Sequence, residues 1–152
     1  MIFIDSNMKK SRRKAREEAV ILLYQSDLLE KDINEILKTE AVFGKKFDSF
    51  TKELVLGVVK HLDMIDEKIK NVVENWSFER IAVIDRNILR VAIYEMLFLN
   101  DIPLKVSVDE AIEISKIYGQ KDDTPKFVNG ILGKILLELQ LGNQEKNEKN
   151  KI

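Results

Sequence analysis

The stretch IDRNILRVAIYEMLFL, residues 84–99, carries the strongest folding signal of this chain. Its apolar side chains fall on successive faces of a helix, and a helix that is apolar on most of its faces is buried inside a protein. Asp85 begins this helix, and Asn100, Asp101 and Pro103 break it. We therefore predict a central, buried helix around which the rest of the domain packs. Its successive faces are marked by Ile88, Val91, Ala92, Glu95 and Leu99.

The composition around this stretch favours an all-α domain. The chain has 152 residues, which is within the usual size of one domain. Apolar residues make up 45% of it and charged residues 34%, as in a soluble globular protein. Only two prolines and six glycines are present, which leaves few residues for the turns of an all-β fold.

Helical spacing of apolar residues recurs on both sides of the central stretch. Ser107 and Glu110 match the S-x-x-E capping box of a helix that Gly119 ends. Thr124 followed by Pro125 is typical of a helix N-cap with proline in the first turn. The further predicted elements are a helix from residue 12, a short helix at 32–39, a loop at 44–48, a stretch at 54–76 that is one helix or two, a turn at 77–81, a helix at 108–118 and a last helix from 124.

The charge is distributed unevenly along the chain. The formal net charge is −1, yet residues 9–16 read KKSRRKAR and hold six basic residues in eight. The remainder therefore carries about −7 by formal count. Such a run is either a solvated arm or a phosphate-binding site. Because the run continues directly into an amphipathic helix, it is anchored, and less ordering entropy opposes binding. This favours a site.

Residues for most catalytic chemistries are missing. The absence of cysteine excludes disulfides and thiolate nucleophiles, and His61, the single histidine, cannot form a zinc site of histidines and cysteines. Glycine-rich nucleotide motifs do not occur, and the acidic groups are more simply explained as helix-start and surface charges than as a metal site made of carboxylates alone. No apolar run reaches the roughly 20 residues of a membrane span. We predict a cytoplasmic protein that is no enzyme and holds no cofactor or metal.

Three parts of the sequence together resemble the NusB family. The first is RRKAREEAVILLYQ at residues 12–25. The second is WSFERIAVIDRNILRVAIYEML at 76–97, followed by DIPLKVSVDEAIEISKIYG at 101–119, and the third is KFVNGIL at 126–132. Their order and spacing are similar to the family over residues 12–139, which is nearly the whole of the predicted folded part.

This resemblance implies an all-α, NusB-type fold of about seven helices packed as two helical subdomains, without enzymatic activity. It also implies binding of boxA-type single-stranded RNA together with NusE, a ribosomal protein of the small subunit, in an RNA polymerase antitermination complex. Asp85 and Glu95 on the central helix correspond to the family's NusE surface. The RNA contacts that it implies are Arg12, Arg13, Arg16, Tyr24, Asp123, Lys126 and Phe127.

General physical chemistry is consistent with these RNA-binding roles, but it does not by itself assign them to these residues. Arginine and lysine neutralise phosphates, and splayed bases of single-stranded RNA stack on aromatic rings. On a helix, Arg13 and Tyr24 lie within about 40° of each other and share a face. By residue type alone, however, Tyr24 and Phe127 are core aromatics at least as readily as stacking platforms. The helix start at Thr124 offers amides to a phosphate, although Pro125 removes one donor.

The expected organisation is one domain at residues 9–141, between a disordered N-terminal extension at 1–8 and a disordered polar tail at 142–152. Two other functions are alternatives. NusB-like domains also accompany RNA cytosine methyltransferases, but that enzyme needs an α/β cofactor domain and a catalytic cysteine, which this chain lacks. A homodimeric interaction module is the other alternative, and a dimer would cover the basic site.

Overall fold

The computed structural model describes the backbone of residues 2–73 and 78–150, and their side chains from residue 11 onward. The described residues contain seven α-helices and one short 3-10 turn, joined by loops, and no strand occurs among them. The predicted all-α class is therefore confirmed. The elements are α1 (Ile2–Leu29), α2 (Ile33–Val42), α3 (Ser49–Lys60), α4 (Leu62–Val72), the turn (Phe78–Arg80), α5 (Val83–Phe98), α6 (Leu104–Tyr118) and α7 (Thr124–Asn150).

Helix α5 is the centre of the fold, as its sequence predicts. Every residue at positions 87–96 is buried, and α1, α3, α4, α6 and α7 all pack against this helix. Helices α1, α2 and α3 form one packed group, and α4 to α7 form the other. A helix with this much buried surface holds both groups together, because burial of apolar area is the main stabilising contribution to folding.

Helices α3 and α5 approach each other closely at Gly57. A Cβ atom at this position would clash with Cζ of Tyr94, so the Tyr94 ring occupies the space that a side chain would need. The Tyr94 ring stacks in turn on Phe98, with 5.4 Å between the ring centroids. Glycine is required here for backbone proximity, and its conformational freedom plays no part.

The stretch at 54–76, which the sequence leaves as one helix or two, is two helices. Helix α3 ends at Lys60 and α4 begins at Leu62, with His61 at the junction. The His61 ring stacks on Phe98 with 4.0 Å between centroids. Trp76 and Ser77, the ends of the predicted stretch and turn, lie outside the described residues.

The capping box predicted at Ser107 and Glu110 is wrong. Helix α6 already begins at Leu104, after Pro103, so both residues lie within it. The Ser107 hydroxyl donates to Glu95 instead, and Glu110 accepts hydrogen bonds from Arg13. The two side chains that the capping box would use contact other helices instead. Glu110 forms an ion pair, and Ser107 forms a buried hydrogen bond.

Helix α7 begins at Thr124 as predicted, but the hydrogen bonds of the Thr124 hydroxyl differ from those of an N-cap. Thr124 is the first residue of α7, but its hydroxyl oxygen accepts from the Lys121 N–H in the preceding loop, at 3.1 Å. The same hydroxyl donates to Asp85 of α5, at 3.3 Å. Thr124 therefore ties the loop between α6 and α7 to the start of α5. Gly119 ends α6, as predicted.

Both ends of the described chain are helical. Helix α1 begins at Ile2, and the side chains of residues 1–10 lie outside the described residues, so the extension expected at 1–8 stays a prediction. Helix α7 continues to Asn150 with every residue of 142–150 exposed, where the sequence predicts a disordered tail from 142. No proline interrupts this polar segment, and extending an existing helix is far easier than starting one. Among the described residues, none of the helices combines the length and the apolar character that a membrane span requires.

Candidate RNA interface

Several contacts hold the basic segment at 9–16 against the body of the protein, and those described involve its residues from Arg12 onward. Among the side chains that the structure describes, Arg12 lies over the ring of Phe50 on α3, with its guanidinium carbon 4.7 Å from the ring centroid. Lys14 is exposed to solvent, while the side chains of Lys9 and Lys10 lie outside the described residues. Stacking on an aromatic face leaves the edge of a guanidinium available to phosphate oxygens.

Arg13 forms a two-point ion pair with Glu110 on α6 and remains accessible. Its Nε and Nη2 donate to the two carboxylate oxygens at 2.7 and 3.1 Å. The hydrogen bond to Glu110 raises the pKa of the Arg13 guanidinium, although partial burial acts in the opposite direction. The side chain is 42% exposed, and its Nη1 makes no hydrogen bond to the described residues. Arg13 is thus fixed in orientation while one edge faces solvent.

Arg16 is placed quite differently from the prediction that it contacts RNA. Its Nε and Nη2 donate to both carboxylate oxygens of Glu95 at 2.9 and 2.8 Å, and Ser107 adds a third hydrogen bond to that carboxylate. Only 5% of the Arg16 side chain and 1% of the Glu95 side chain are exposed. Arg16 therefore has little surface to offer a phosphate. The Glu95 carboxylate, which the family resemblance implies for the NusE surface, is likewise buried and offers little surface to a protein partner.

Asp85 lies at the opposite end of α5, beside residues predicted to bind RNA. Its two oxygens accept from the Gln120 N–H at 2.9 Å and from the Thr124 hydroxyl. Asp85 also lines a cleft of 190 Å³ together with Asp123 and Phe127. Asp85 and Glu95, which the family resemblance implies for the NusE surface, lie ten residues apart, about 15 Å along the axis of α5. The structure does not bring them together.

Helix α1 runs antiparallel to α5, and this orientation determines the position of Tyr24 along α5. Arg16 of α1 meets Glu95 near the end of α5, and Asp27 near the end of α1 accepts from Asn87 near the start of α5. Tyr24 lies between these two contacts, closer to the second, and it is half-buried. It is about 16 Å along the helix axis from Arg13 and about 20° from it around the axis.

The remaining predicted RNA contacts lie near that same end of the molecule. Helix α6 runs back along α5, and the residue after its C-terminal Gly119, Gln120, donates to Asp85 at the start of α5. Helix α7 begins there at Thr124, and Phe127 in its first turn is half-buried. Lys126 is exposed beside Phe127. Tyr24 and the start of α7 therefore both lie toward the start of α5, and the basic segment lies toward its end.

No sequence signal identifies the partners that hold these residues. Glu110 and Phe50 are the groups that position Arg13 and Arg12, and they lie on other helices far along the chain. Gln120 and Lys121 line the cleft beside Phe127, and their loop carries no recognisable motif. Only a knowledge of which helices are neighbours identifies such residues.

A second ion cluster, partly buried, lies between α1, α4 and α5. Arg90, 6% exposed in its side chain, donates to both oxygens of Asp66 at 2.8 Å and to Asp27 at 2.8 Å. Asn87 bridges Arg90 and Asp27. Since these groups satisfy one another, this cluster supports the packing of α1 at the Tyr24 end and offers no free cation.

Comparison with known proteins adds a family context to this geometry. The sequence profile of the NusB family matches residues 13–137. The chain is 45% identical over 129 residues to the transcription antitermination protein NusB of Bacillus licheniformis, a match that covers 85% of this chain and 98% of that protein. NusB of T. maritima is 41% identical and superimposes with a TM-score of 0.70 over 82% of this chain and 89% of that one.

A third relative was crystallised with a partner. In a crystal structure of the antitermination factors NusB and NusE in complex with dsRNA, the matching chain is 28% identical and has a TM-score of 0.71. The match covers 83% of this chain and 96% of that chain.

Proposed function

The chain belongs to the NusB family, and from this membership we propose that it is an RNA-binding transcription antitermination factor. Its RNA is of the boxA type, and NusE is its protein partner. The observation that carries this proposal is the state of Arg13, which Glu110 orients while its Nη1 faces solvent. An oriented guanidinium binds a phosphate with less loss of side-chain entropy than a free one.

The proposed RNA surface has two parts with different roles. Arg12, Arg13 and Lys14 neutralise phosphates, a contact that is largely blind to base sequence. Tyr24 stacks with a base further along the same side of α1, about three turns of helix away. Arg16 is left out of the direct contacts because its buried pair with Glu95 fixes the helix that presents the others.

The start of α7 supplies the second group of base contacts in this proposal. Asp123 and Lys126 are exposed, and Phe127 and Asp123 line the 190 Å³ cleft. Carboxylates accept hydrogen bonds from base amino groups, and aromatic rings accept stacked bases. Sequence preference is therefore expected to depend on this end of the molecule more than on the basic segment.

NusE binding is proposed from the family and from the crystallised relative that holds both proteins. Asp85 remains the candidate on this chain, although both of its oxygens already accept hydrogen bonds. Membership of an RNA polymerase antitermination complex, a cytoplasmic location and the lack of enzymatic activity belong to the same proposal. A homodimer that covers the basic segment remains the alternative state.

Equilibrium binding tests the proposal directly. The purified chain is titrated into labelled boxA-type RNA and into an RNA of the same length and composition in scrambled order, each with and without NusE. We expect tighter binding to the boxA-type RNA and a larger difference when NusE is present. Equal affinity for both RNAs in the presence of NusE would contradict the proposal. The mass in solution, measured with and without RNA, separates the homodimer from the RNA-bound monomer.

The methyltransferase-associated domain is not favoured. The match to the antitermination protein of B. licheniformis covers 98% of that protein, so no catalytic domain accompanies the shared part there. The chain has no cysteine, whereas that class of enzyme needs a catalytic one. Incubation with a methyl donor and RNA is expected to give no methylated cytosine.

A further inference from the structure

Four lysines surround a cleft on the face formed by the end of α2, the loop that follows it and the start of α3. The cleft has a volume of 660 Å³. We name it the lysine cleft and define it by Lys38, Lys45, Lys46 and Lys52, which all line it. It lies outside the residues that the family resemblance implies for RNA or NusE.

The charge in the lysine cleft is uncompensated. No aspartate or glutamate is among the described residues that line it. None of its lysines has a carboxylate within ion-pair distance in the part of the chain that the structure describes, and all four are exposed. The protein as a whole has slightly more acidic than basic residues. Four unpaired lysines around one concave surface nevertheless attract an anion that carries several charges, because a cleft focuses their electric field.

Apolar and aromatic groups accompany these cations. Phe47 lines the cleft and lies under Lys45, whose Nζ is 5.4 Å from the ring centroid. Phe43, in the turn after α2, is 83% exposed. Cations interleaved with accessible rings fit a single-stranded nucleic acid, whose phosphates pair with lysine and whose bases stack on aromatic faces.

The start of α3 lies between the basic segment of α1 and the lysine cleft. The Arg12 guanidinium lies over Phe50, in the first turn of α3, and Lys52, two residues later on another side of the same helix, lines the cleft. The hydroxyl of Thr51, between them, donates to the Ala15 carbonyl of α1 at 3.1 Å, which fixes α3 against α1. Asp48 is nearby, but its carboxylate caps α3 by accepting from the Phe50 N–H at 2.8 Å.

We propose that the lysine cleft binds the continuation of the same RNA strand, beyond the segment held by Arg12 and Arg13. This inference rests on the proposed function and deepens it, since it adds a second, sequence-independent contact to the RNA site. The strand passes from the basic segment over the Phe50 region of α3 and enters the cleft, where lysines neutralise its phosphates. RNA that reaches the cleft therefore binds more tightly and with a steeper dependence on salt.

The test compares a short boxA-type RNA with versions extended by about eight nucleotides at the 5′ or the 3′ end, a length within the usual site sizes for single strands. The full chain is used as wild type and as Lys45→Gln/Lys46→Gln. Both substituted lysines lie in an exposed loop, so the fold is expected to be retained, and thermal melting checks this. The matched control is Lys105→Gln/Lys134→Gln, which removes the same charge from exposed positions outside the cleft.

One of the two extensions is expected to tighten binding by wild type and by the control. In Lys45→Gln/Lys46→Gln that gain should shrink, and the slope of log affinity against log salt for the extended RNA should become shallower by about 0.7 for each phosphate that is no longer neutralised. Binding of the short RNA should not change.

Two outcomes separate this inference from the function on which it rests. If neither extension tightens binding by wild type while the short RNA binds, the inference is overturned and the proposed function stands. That result is also expected if an acidic protein segment occupies the cleft. If wild type does not bind the short RNA even when NusE is present, the proposed function itself fails.

Discussion

Arg13 and Arg16 belong to the same basic run and lie about one helical turn apart, but they have opposite surroundings. Each forms a two-point pair with a glutamate, Arg13 with Glu110 and Arg16 with Glu95. The Arg13 side chain is 42% exposed, whereas the Arg16 side chain is 5% exposed. A rotation of about 60° around the axis of α1 separates them. That rotation moves one arginine to the edge of the interface with α6 and the other into the core.

A cluster of basic residues is therefore not one functional unit. A buried arginine whose carboxylate partner is also buried must be satisfied for the fold to form. A half-exposed arginine contributes little to stability and keeps donors for a ligand. The run at 9–16 combines residues that can bind an anion with a residue that holds the binding helix in place.

The largest expected effect is on stability, at Arg16. Arg16→Met keeps most of the packing volume but leaves the Glu95 carboxylate buried without a cation. We expect the free energy of unfolding to fall by about 3–5 kcal/mol, the usual decrease when one partner of a buried ion pair is removed. Denaturant unfolding of the variant and the parent chain measures this change. If the free energy of unfolding falls only as much as for an exposed ion pair, Arg16 and Arg13 contribute equally to stability.

A second substitution isolates the cause of this decrease. Arg16→Met/Glu95→Leu removes both charges from the same site, and apolar replacement of a whole buried pair is often close to neutral. We expect the double variant to return to within about 2 kcal/mol of the parent chain, with some destabilisation because the Ser107 hydroxyl no longer has its acceptor. If the double variant is no more stable than Arg16→Met, the unpaired charge is not the cause.

The same question, whether a side chain contacts RNA or belongs to the core, applies to Tyr24. It lies about three helical turns from Arg13 on the same side of α1. If its ring stacks on a base, Tyr24→Ala should weaken RNA binding by about 1–3 kcal/mol, while Tyr24→Phe keeps most of the affinity. Both variants must still melt cooperatively, because Tyr24 is half-buried. Unchanged affinity in a folded Tyr24→Ala variant would assign the ring to the core and make Phe127 the next candidate.

The fold could be predicted from the strongest pattern in the sequence. The apolar stretch at 84–99 yields a central helix that is buried throughout 87–96, and Gly119 ends α6 where predicted. Local patterns failed where long-range contacts recruited the same side chains, as at Ser107 and Glu110. The division of the basic run could not be predicted either, because Arg16 and Glu95 are 79 residues apart and Arg13 and Glu110 are 97 apart. Spacing within a helix carries no information about such partners.

The smallest effect on stability is expected at Arg13. Arg13→Gln retains a hydrogen-bond donor for Glu110 and should lower the free energy of unfolding by about 1 kcal/mol, as for a partly exposed pair. Its effect should appear in RNA binding instead, because the substitution removes a charge that the proposed function places against a phosphate. Denaturant unfolding beside Arg16→Met shows whether the two differ. Equal decreases in the two variants would remove the distinction between the two arginines.

RNA affinity over a salt series decides whether Arg13 contacts RNA and Arg16 does not. The measurement uses boxA-type RNA with the parent chain, Arg13→Gln, and the charge-free but packed variant Arg16→Met/Glu95→Leu. We predict that the slope of log affinity against log salt becomes shallower by about 0.7 for Arg13→Gln, the value for one phosphate contact on a single strand. The slope of the double variant should equal that of the parent. An unchanged slope for Arg13→Gln, or an equal decrease in both variants, would contradict the assignment of the two arginines.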